Sequence, residues 1–297
     1  MPRTLILNQN NIVQGSGNST FQYDFPLGGI NFADELIAVQ QVSFYNSVFN
    51  ITAAYNNNRF SYIWIDGKSV SILMPDSYLE LADINAFMLS TMIANGHYML
   101  TSTNQNVFFL EILINASRYA DQINSFLIDT AIASANSWTL PPGANWVLPN
   151  TPICPIFVVP PTKFQQVIGY TAGNYPNAVI TGVQPAQVET PAFLTTQSFL
   201  SATSPQIIPQ PSYLGACSLV NNRLAIPSQL VYSVSPQGVP FGSLYVNQIA
   251  DLAFNKIENG NYTNFTFRFV DSLGGAIIFQ DPNFLILLVL KNITELR

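Results

Sequence analysis

Apolar side chains return at every second position through most of this chain. That period fits a strand with one buried face and does not fit a helix. Phe60, Tyr62 and Trp64 alternate with Ser61 and Ile63; after Asp66-Gly67, Val70, Ile72 and Met74 alternate with Ser69 and Ser71. An Asp-Gly pair between two alternating runs is a strong hairpin signal, because these residues accept the positive φ of a tight turn. Phe265, Phe267 and Phe269 alternate with Thr266, Arg268 and Val270, which predicts a strand with an inward aromatic face. Residues 107–114 and 36–49 also read as strands. The second is too long to run straight, so a bulge or bend is expected near Gln40-Gln41. Residues 284–290 are apolar at every position, as suits a central strand covered on both faces.

One segment breaks the alternation. Ser77 and Glu80 have the spacing of a capping box. Leu81, Ile84, Met88 and Met92 then recur at helical spacing, and Asn95-Gly96 supplies a stop. The prediction is a helix over about 78–94 with its apolar stripe against a sheet. A shorter helical stretch is expected around 246–254.

Thirteen of the 20 prolines fall between positions 141 and 211. Proline is confined to sheet edges, bulges and loops. Short strands joined by long ordered loops, or disorder, would both fit; Trp138, Trp146, Phe157, Phe164, Tyr170 and Tyr175 favour order, since disordered chains are poor in aromatics. Many strands, few helices and Pro-rich connections predict an all-β protein: a single jelly-roll β-sandwich with an inserted helix and long Pro-rich loops or an insertion. The expected domain is 1–297, with a possible insertion or loop-rich subdomain at about 130–211.

Only 9% of residues are charged, against about 25% in an ordinary soluble domain, while 48% are hydrophobic. Between Asp129 and Arg223 the only charges are Lys163 and Glu189. A surface so short of charge is expected to be covered by other subunits. The formal net charge of −6 offers no basic field to nucleic acid. Mean hydropathy is +0.24, yet no apolar run reaches the roughly 20 residues of a membrane helix. The opening MPRTLILNQN does not have the pattern of a signal peptide. Cys154 and Cys217 accordingly read as small buried hydrophobes, and the six N-x-[ST] sequons as products of an Asn-, Ser- and Thr-rich composition.

No catalytic constellation emerges. His97, the one histidine, follows the helix stop and reads as a residue bonding a local carbonyl there. Asp76, Glu80 and Asp83 sit where acids favour a helix N-terminus and do not have a metal-ligand pattern. Asp66 is a turn residue and Glu111 an outward strand position. Gly15-x-Gly17 and Gly274-Gly275 lack the strand-glycine-helix context of a phosphate loop and read as turns. Neither cofactor nor metal is expected. Lys163 reads as a solvated loop lysine or as an intersubunit pairing point.

Several segments, in order, resemble the penton or minor capsid proteins of virophages, Polinton-like viruses and related large DNA viruses. They are PRTLILNQNNIV (2–13), ELIAVQQVSFYNSVFNIT (35–52), NGHYM (95–99), PPTKFQQVIGYTAGNYP (160–176), SYLGACSLVNN (212–222), LVYSVSPQGVPFGSLYVNQ (230–248), NYTNFTFRFVD (261–271) and DPNFLILLVL (281–290). The resemblance spans nearly the whole chain and holds no catalytic fingerprint. It implies a vertical single jelly roll forming pentamers at capsid five-fold vertices, beside the major capsid protein.

The function expected is therefore structural and not enzymatic: a virion protein forming the pentameric vertex of an icosahedral capsid, assembled inside the host cell. Its subunit contacts are placed in the uncharged middle, at Trp138, Trp146, Lys163, Phe164, Tyr170 and Tyr175. The alternative is a β-sandwich recognition module that binds a glycan or host receptor, with Trp138 and Trp146 as stacking residues.

Overall fold

The computed structural model describes residues 3–115, 120–176, 193–198, 213–218, 229–236, 238–271 and 277–296. In chain order the strands are β1 (Arg3–Asn8), β2 (Thr20–Asp24), β3 (Ile30–Phe32), β4 (Glu35–Tyr45), β5 (Arg59–Ile63), β6 (Ser69–Leu73), β7 (Met99–Leu100), β8 (Asn106–Val107), β9 (Leu110–Asn115), β10 (Ala120–Ser125), β11 (Ile156–Val159), β12 (Gly173–Tyr175), β13 (Phe193–Ser198), β14 (Tyr213–Ser218), β15 (Gln229–Val234), β16 (Leu244–Gln248), β17 (Asn255–Lys256), β18 (Gly260–Tyr262), β19 (Asn264–Asp271) and β20 (Phe284–Asn292). The helices are α1 (Leu81–Ala94), α2 (Thr130–Ala135) and α3 (Phe164–Ile168). Two compact units result: Met1–Phe49 with Gln210–Arg297, and Asn50–Pro209.

The first unit holds two antiparallel four-stranded sheets, β1-β20-β4-β16 and β15-β14-β19-β2, with β17 also on β4. Lettering β1, β2, β4, β14, β15, β16, β19 and β20 from B to I turns these orders into B-I-D-G and F-E-H-C. That is the strand order of a jelly roll, and the second unit is the connection between its D and E strands. The alternation seen in the sequence builds the core. Phe265, Phe267 and Phe269 are buried, with Thr266, Arg268 and Val270 turned outward. Phe44 and Phe284 from one sheet meet Phe21 and Phe269 from the other, and Phe279 joins them; Phe21–Phe284 centroids lie 5.0 Å apart and Phe279–Phe284 4.9 Å. Each such ring removed from water is worth about 1.5–3 kcal/mol, so this cluster is a main tie between the layers.

The bulge expected in β4 is present at Gln40. Leu287 pairs with Gln41 but Leu288 pairs with Val39, so Gln40 is the extra residue. Before it Ile37 and Val39 face the core; after it Val42 and Phe44 do. The bulge also divides the strand's other edge, where β16 pairs with residues 41–45 and β17 with Ile37 and Leu36. β20 is an interior strand of its sheet but is not covered on both faces as its composition suggests: its inward residues Phe284, Ile286, Leu288 and Leu290 are buried, whereas Leu285 and Leu287 on the other face are only half-buried, because that face opens to solvent.

The second unit packs α1, the sheet β12-β11-β5-β6 and the sheet β13-β10-β9. Phe60, Tyr62, Trp64 and Ile72 line one face of the β5–β6 hairpin and share a core with Leu81, Ile84, Met88 and Met92 of α1. The hairpin loop closes with Trp64 N donating to the Lys68 carbonyl at 2.9 Å, and Gly67 takes φ +84°. The helix starts three residues later than the sequence suggests. Glu80 is the N-cap, and its box partner is Asp83, whose Oδ2 accepts from Glu80 N at 2.8 Å. Pro75 and the Ile51–Ser77 bridge hold the preceding residues extended. The short helix expected around 246–254 is absent: residues 244–248 form β16, because their period is two, and residues 249–254 are irregular.

The stretch at about 130–211 lies within the second unit as far as Pro209, together with the hairpin and α1. From residues 141 to 176 the Pro-rich chain has α3, β11 and β12 joined by irregular segments. Its remainder, apart from β13, lies outside the described residues, as do Gly274-Gly275.

Candidate functional site

The outer face of the β1-β20-β4-β16 sheet is uncharged in its two open rows, where apolar side chains mix with amides and a serine. Pairing aligns Asn8, Leu285, Ser43 and Val246 in one row across it, and Ile6, Leu287, Gln41 and Gln248 in the next. Tyr45 pairs with Leu244 beside them. Ile6, Leu244 and Val246 are about half exposed, at 50%, 52% and 55%. Phe241 is exposed next to this edge, tilted on Phe49 at 5.9 Å, and its loop is held by Asn46 N to the Ser243 carbonyl and Gly242 N to the Asn46 carbonyl. Neither row contains a charge. The face closes at its far end, where Ala38 and Val289 are buried. Isolated exposed apolar residues are ordinary; several on one uncharged sheet face have the character of a contact surface. The signal was available in the alternation of Leu244 and Val246 with Tyr245 and Asn247, which a helical reading of the segment hid.

The six residues placed at subunit contacts from sequence do not share one surface. Trp146, Phe164 and Tyr170 are buried in the second unit. Trp146 Nε1 donates to the Gly96 carbonyl at 2.6 Å, and its ring meets Trp64 edge-on. Phe164 lies flat on Phe60, centroids 5.0 Å apart and planes 6° from parallel. The Tyr170 hydroxyl donates to the Asp121 carbonyl at 3.1 Å. Trp138 is half-buried against Phe109, and Tyr175 is half-buried against Tyr170. Lys163 is exposed just before α3.

Two buried titratable groups lie in the same unit. His97 Nδ1 is 2.8 Å from the Tyr62 hydroxyl, and the imidazole stacks on Trp64. This replaces the local carbonyl expected for it: the His97 side chain is turned into the core, while its backbone N donates to the Met92 carbonyl at 2.8 Å. Burial holds His97 below its ordinary pKa; Asp66 opposes that shift and Lys68 adds to it. The second group, Asp121, gave no signal in the sequence. It is fully buried on β10, neither carboxylate oxygen has a hydrogen-bond partner, and burial raises its pKa to about 8. Among the described residues no three His, Cys, Asp or Glu side chains converge as metal ligands. Cys154 is buried, and the Cys217 side chain lies outside the described residues. No helix is long and apolar enough to cross a membrane, among the described residues.

Asp66 accepts from Lys68 N at 3.0 Å, and its carboxylate pairs with Lys68 Nζ at 2.9 Å, as a turn residue does. Glu111 Oε1 accepts from Asn124 Nδ2 at 2.7 Å across the β9–β10 pair.

No protein-family model matches the chain, and no curated protein matches it. Among solved structures the chain is similar to the crystal structure of the mavirus penton protein, with 10% identity, 99% of each chain covered and a TM-score of 0.46. It is also similar to a chain in the cryo-EM structure of the Sputnik virophage, with 9% identity, 100% of this chain and 99% of that one covered, and a TM-score of 0.44.

Proposed function

We propose that this chain is a structural subunit of a virion shell that closes into five-membered rings at the capsid vertex, beside a major capsid protein. The observation that carries the reading is the open, uncharged face of the β1-β20-β4-β16 sheet on a jelly-roll framework. Ile6, Leu244 and Val246 are each about half exposed on a face whose two rows hold no charge, and a neighbouring subunit would cover them. The jelly-roll strand order and the ordered series of penton-like sequence segments support the same reading. In the second unit, Lys163 and the half-buried Trp138 and Tyr175 are the sequence-placed residues with surface left to offer, and the shell reading assigns them peripheral contacts. A head-to-tail contact forms a closed ring only when its rotation closes, and five copies meet that condition at a five-fold axis.

The test is the mass of the purified protein in solution, followed by negative-stain images. Rings of five are expected for the natural chain. Val246→Asp places a charge on the open face without touching the core, so it should leave a folded monomer. Rings that survive Val246→Asp and Leu244→Asp together would move the contact elsewhere, and a natural chain that stays monomeric at high concentration would sink the proposal.

A further inference from the structure

Among its described residues the second unit carries an unprotected sheet edge. β6 lies at the end of the order β12-β11-β5-β6 and, among the described residues, pairs with β5 alone. Trp64 N donates to the Lys68 carbonyl and Met74 N to the Asn58 carbonyl, each at 2.9 Å, one pair at either end of the hairpin. Between them bonded and non-bonded pairs alternate, which fixes Val70 and Ile72 as the residues bonded to β5. The N–H and C=O groups of Ser69, Ser71 and Leu73 therefore point away from the sheet, and none of them bonds any other described part of the chain. All three residues are exposed, Leu73 at 58%.

Natural edge strands are commonly guarded by charge, proline or a bulge. This one, Ser-Val-Ser-Ile-Leu, has none of these within it. Lys68 at its start is tied to Asp66. Beyond its end lies an open groove of about 590 Å³, within the range of ligand sites, walled by Leu73, Met74, Pro75 and Ala53 on its apolar side. Arg59, which pairs with Leu73 across the hairpin, lines the groove with Asn56 and Asn58. Its guanidinium has no ion pair among the described residues. Asp76 lines the groove as well, but its Oδ1 accepts from Ala53 N at 2.7 Å.

We propose that β6 takes an extended segment of a partner protein as an added strand, with an acidic side chain of that segment on Arg59 and an apolar one on Leu73. Alternating free donors and acceptors over about 13 Å suit only another strand. The unpaired guanidinium selects a carboxylate, which it can hold with two parallel bonds. The surface lies in the second unit and is independent of the uncharged sheet face argued above.

The probe is a panel of fluorescent octapeptides that alternate Val or Thr with polar residues and carry Glu, Gln or Lys at one end, titrated against the full chain. Saturable binding is expected for the Glu peptides, at least tenfold tighter than for the Lys peptides. N-methylation of alternate amides should abolish it. Arg59→Gln should erase the Glu-over-Lys preference, and Ser71→Pro, which removes an outward donor that β5 does not use, should abolish binding with the melting temperature kept. If Ser71→Pro fails to fold, the N-methylated peptides test the same bonds from the ligand side. The proposal is overturned if no peptide binds, if N-methylated peptides bind equally, or if the preference survives Arg59→Gln. It is overturned in favour of a second copy of this chain if Ser71→Pro converts a self-associated species to monomer while no peptide competes.

Discussion

The imidazole of His97 lies on the indole of Trp64, with centroids 4.7 Å apart and planes 7° from parallel. The chain's one histidine thus fills core space, and its Nδ1 meets the Tyr62 hydroxyl. Burial keeps its folded pKa below the ordinary 6.5, so between those two values the unfolded chain binds more protons than the folded one. The stability it contributes is whole above about pH 6.5 and is lost as pH falls from there toward the folded pKa. The slope reaches at most about 1.4 kcal/mol per pH unit in that window. His97→Phe keeps a stacked ring and removes the titration. Melts followed by tryptophan fluorescence should show the natural chain losing stability relative to His97→Phe between pH 7 and 5; equal slopes would refute the assignment.

Asp121 acts in the opposite direction. Its folded pKa, about 8, lies above the ordinary 3.8, so the folded state holds a proton that the unfolded state releases. Its contribution is greatest at low pH and is lost as pH rises toward 8. Asp121→Asn should therefore stabilise the protein at pH 8, by about 1–3 kcal/mol given a buried carboxylate without partners, and the gain should shrink by pH 5. Urea midpoints of both forms at the two pH values decide it. A variant less stable at pH 8 would mean that the carboxylate is paired in solution.

What the sequence exposed was local. Alternation identified the faces of β5, β6 and β19, the apolar stripe of α1 matched Leu81, Ile84, Met88 and Met92, and the length of β4 located the bulge at Gln40. These follow from periods of two and 3.6 and from steric limits on single residues. The failures were of two kinds. Cap spacing fitted both Ser77–Glu80 and Glu80–Asp83, and tertiary pairing of Ile51 with Ser77 selected the second. Relations across long separations left no trace: His97 with Tyr62, Tyr170 with Asp121, or the sheet neighbours of Val246. The aromatic residues of the uncharged middle were legible as apolar but not as inward, because irregular loops have no period from which a face can be read.

Phe164 and Lys163 are neighbours in sequence with opposite expected effects. Phe164 is fully buried and stacked on Phe60, so Phe164→Ala should cost about 3–5 kcal/mol and unfold the second unit well before the natural chain. Lys163 is exposed, and Lys163→Ala should change stability by less than about 0.5 kcal/mol. Chemical denaturation of the two variants separates a core role from a surface role. A stable, monomeric Phe164→Ala protein would return Phe164 to the list of contact residues.

Gly28 and Gly29 give a similarly local contrast. Both have positive φ, at +85° and +131°. A Cβ on Gly28 would meet nothing within 4 Å, whereas one on Gly29 would sit 2.8 Å from the backbone carbonyl oxygen of Tyr262. Tyr262 pairs with Ile30, so that carbonyl cannot withdraw without opening the β3–β18 pair. Gly28→Ala should cost about 1–2 kcal/mol from backbone conformation alone. Gly29→Ala should cost clearly more, with loss of amide protection at Ile30 and Tyr262 by hydrogen exchange. Equal melting temperatures for the two variants would contradict the close approach.

The proposed ring should be insensitive to salt and sensitive to cold. The open sheet face carries no charge in its two rows. Attraction between such faces is hydrophobic, so screening at about 1 M NaCl has little to weaken. Sulfate should strengthen it and cooling should weaken it, because burial of apolar area near room temperature is driven by entropy. Sedimentation at about 50 mM and about 1 M NaCl, and at 4 and about 25 °C, reads both effects. Rings that dissolve in salt but persist in the cold would show that charge holds them, and the uncharged sheet face would then lose its assigned role.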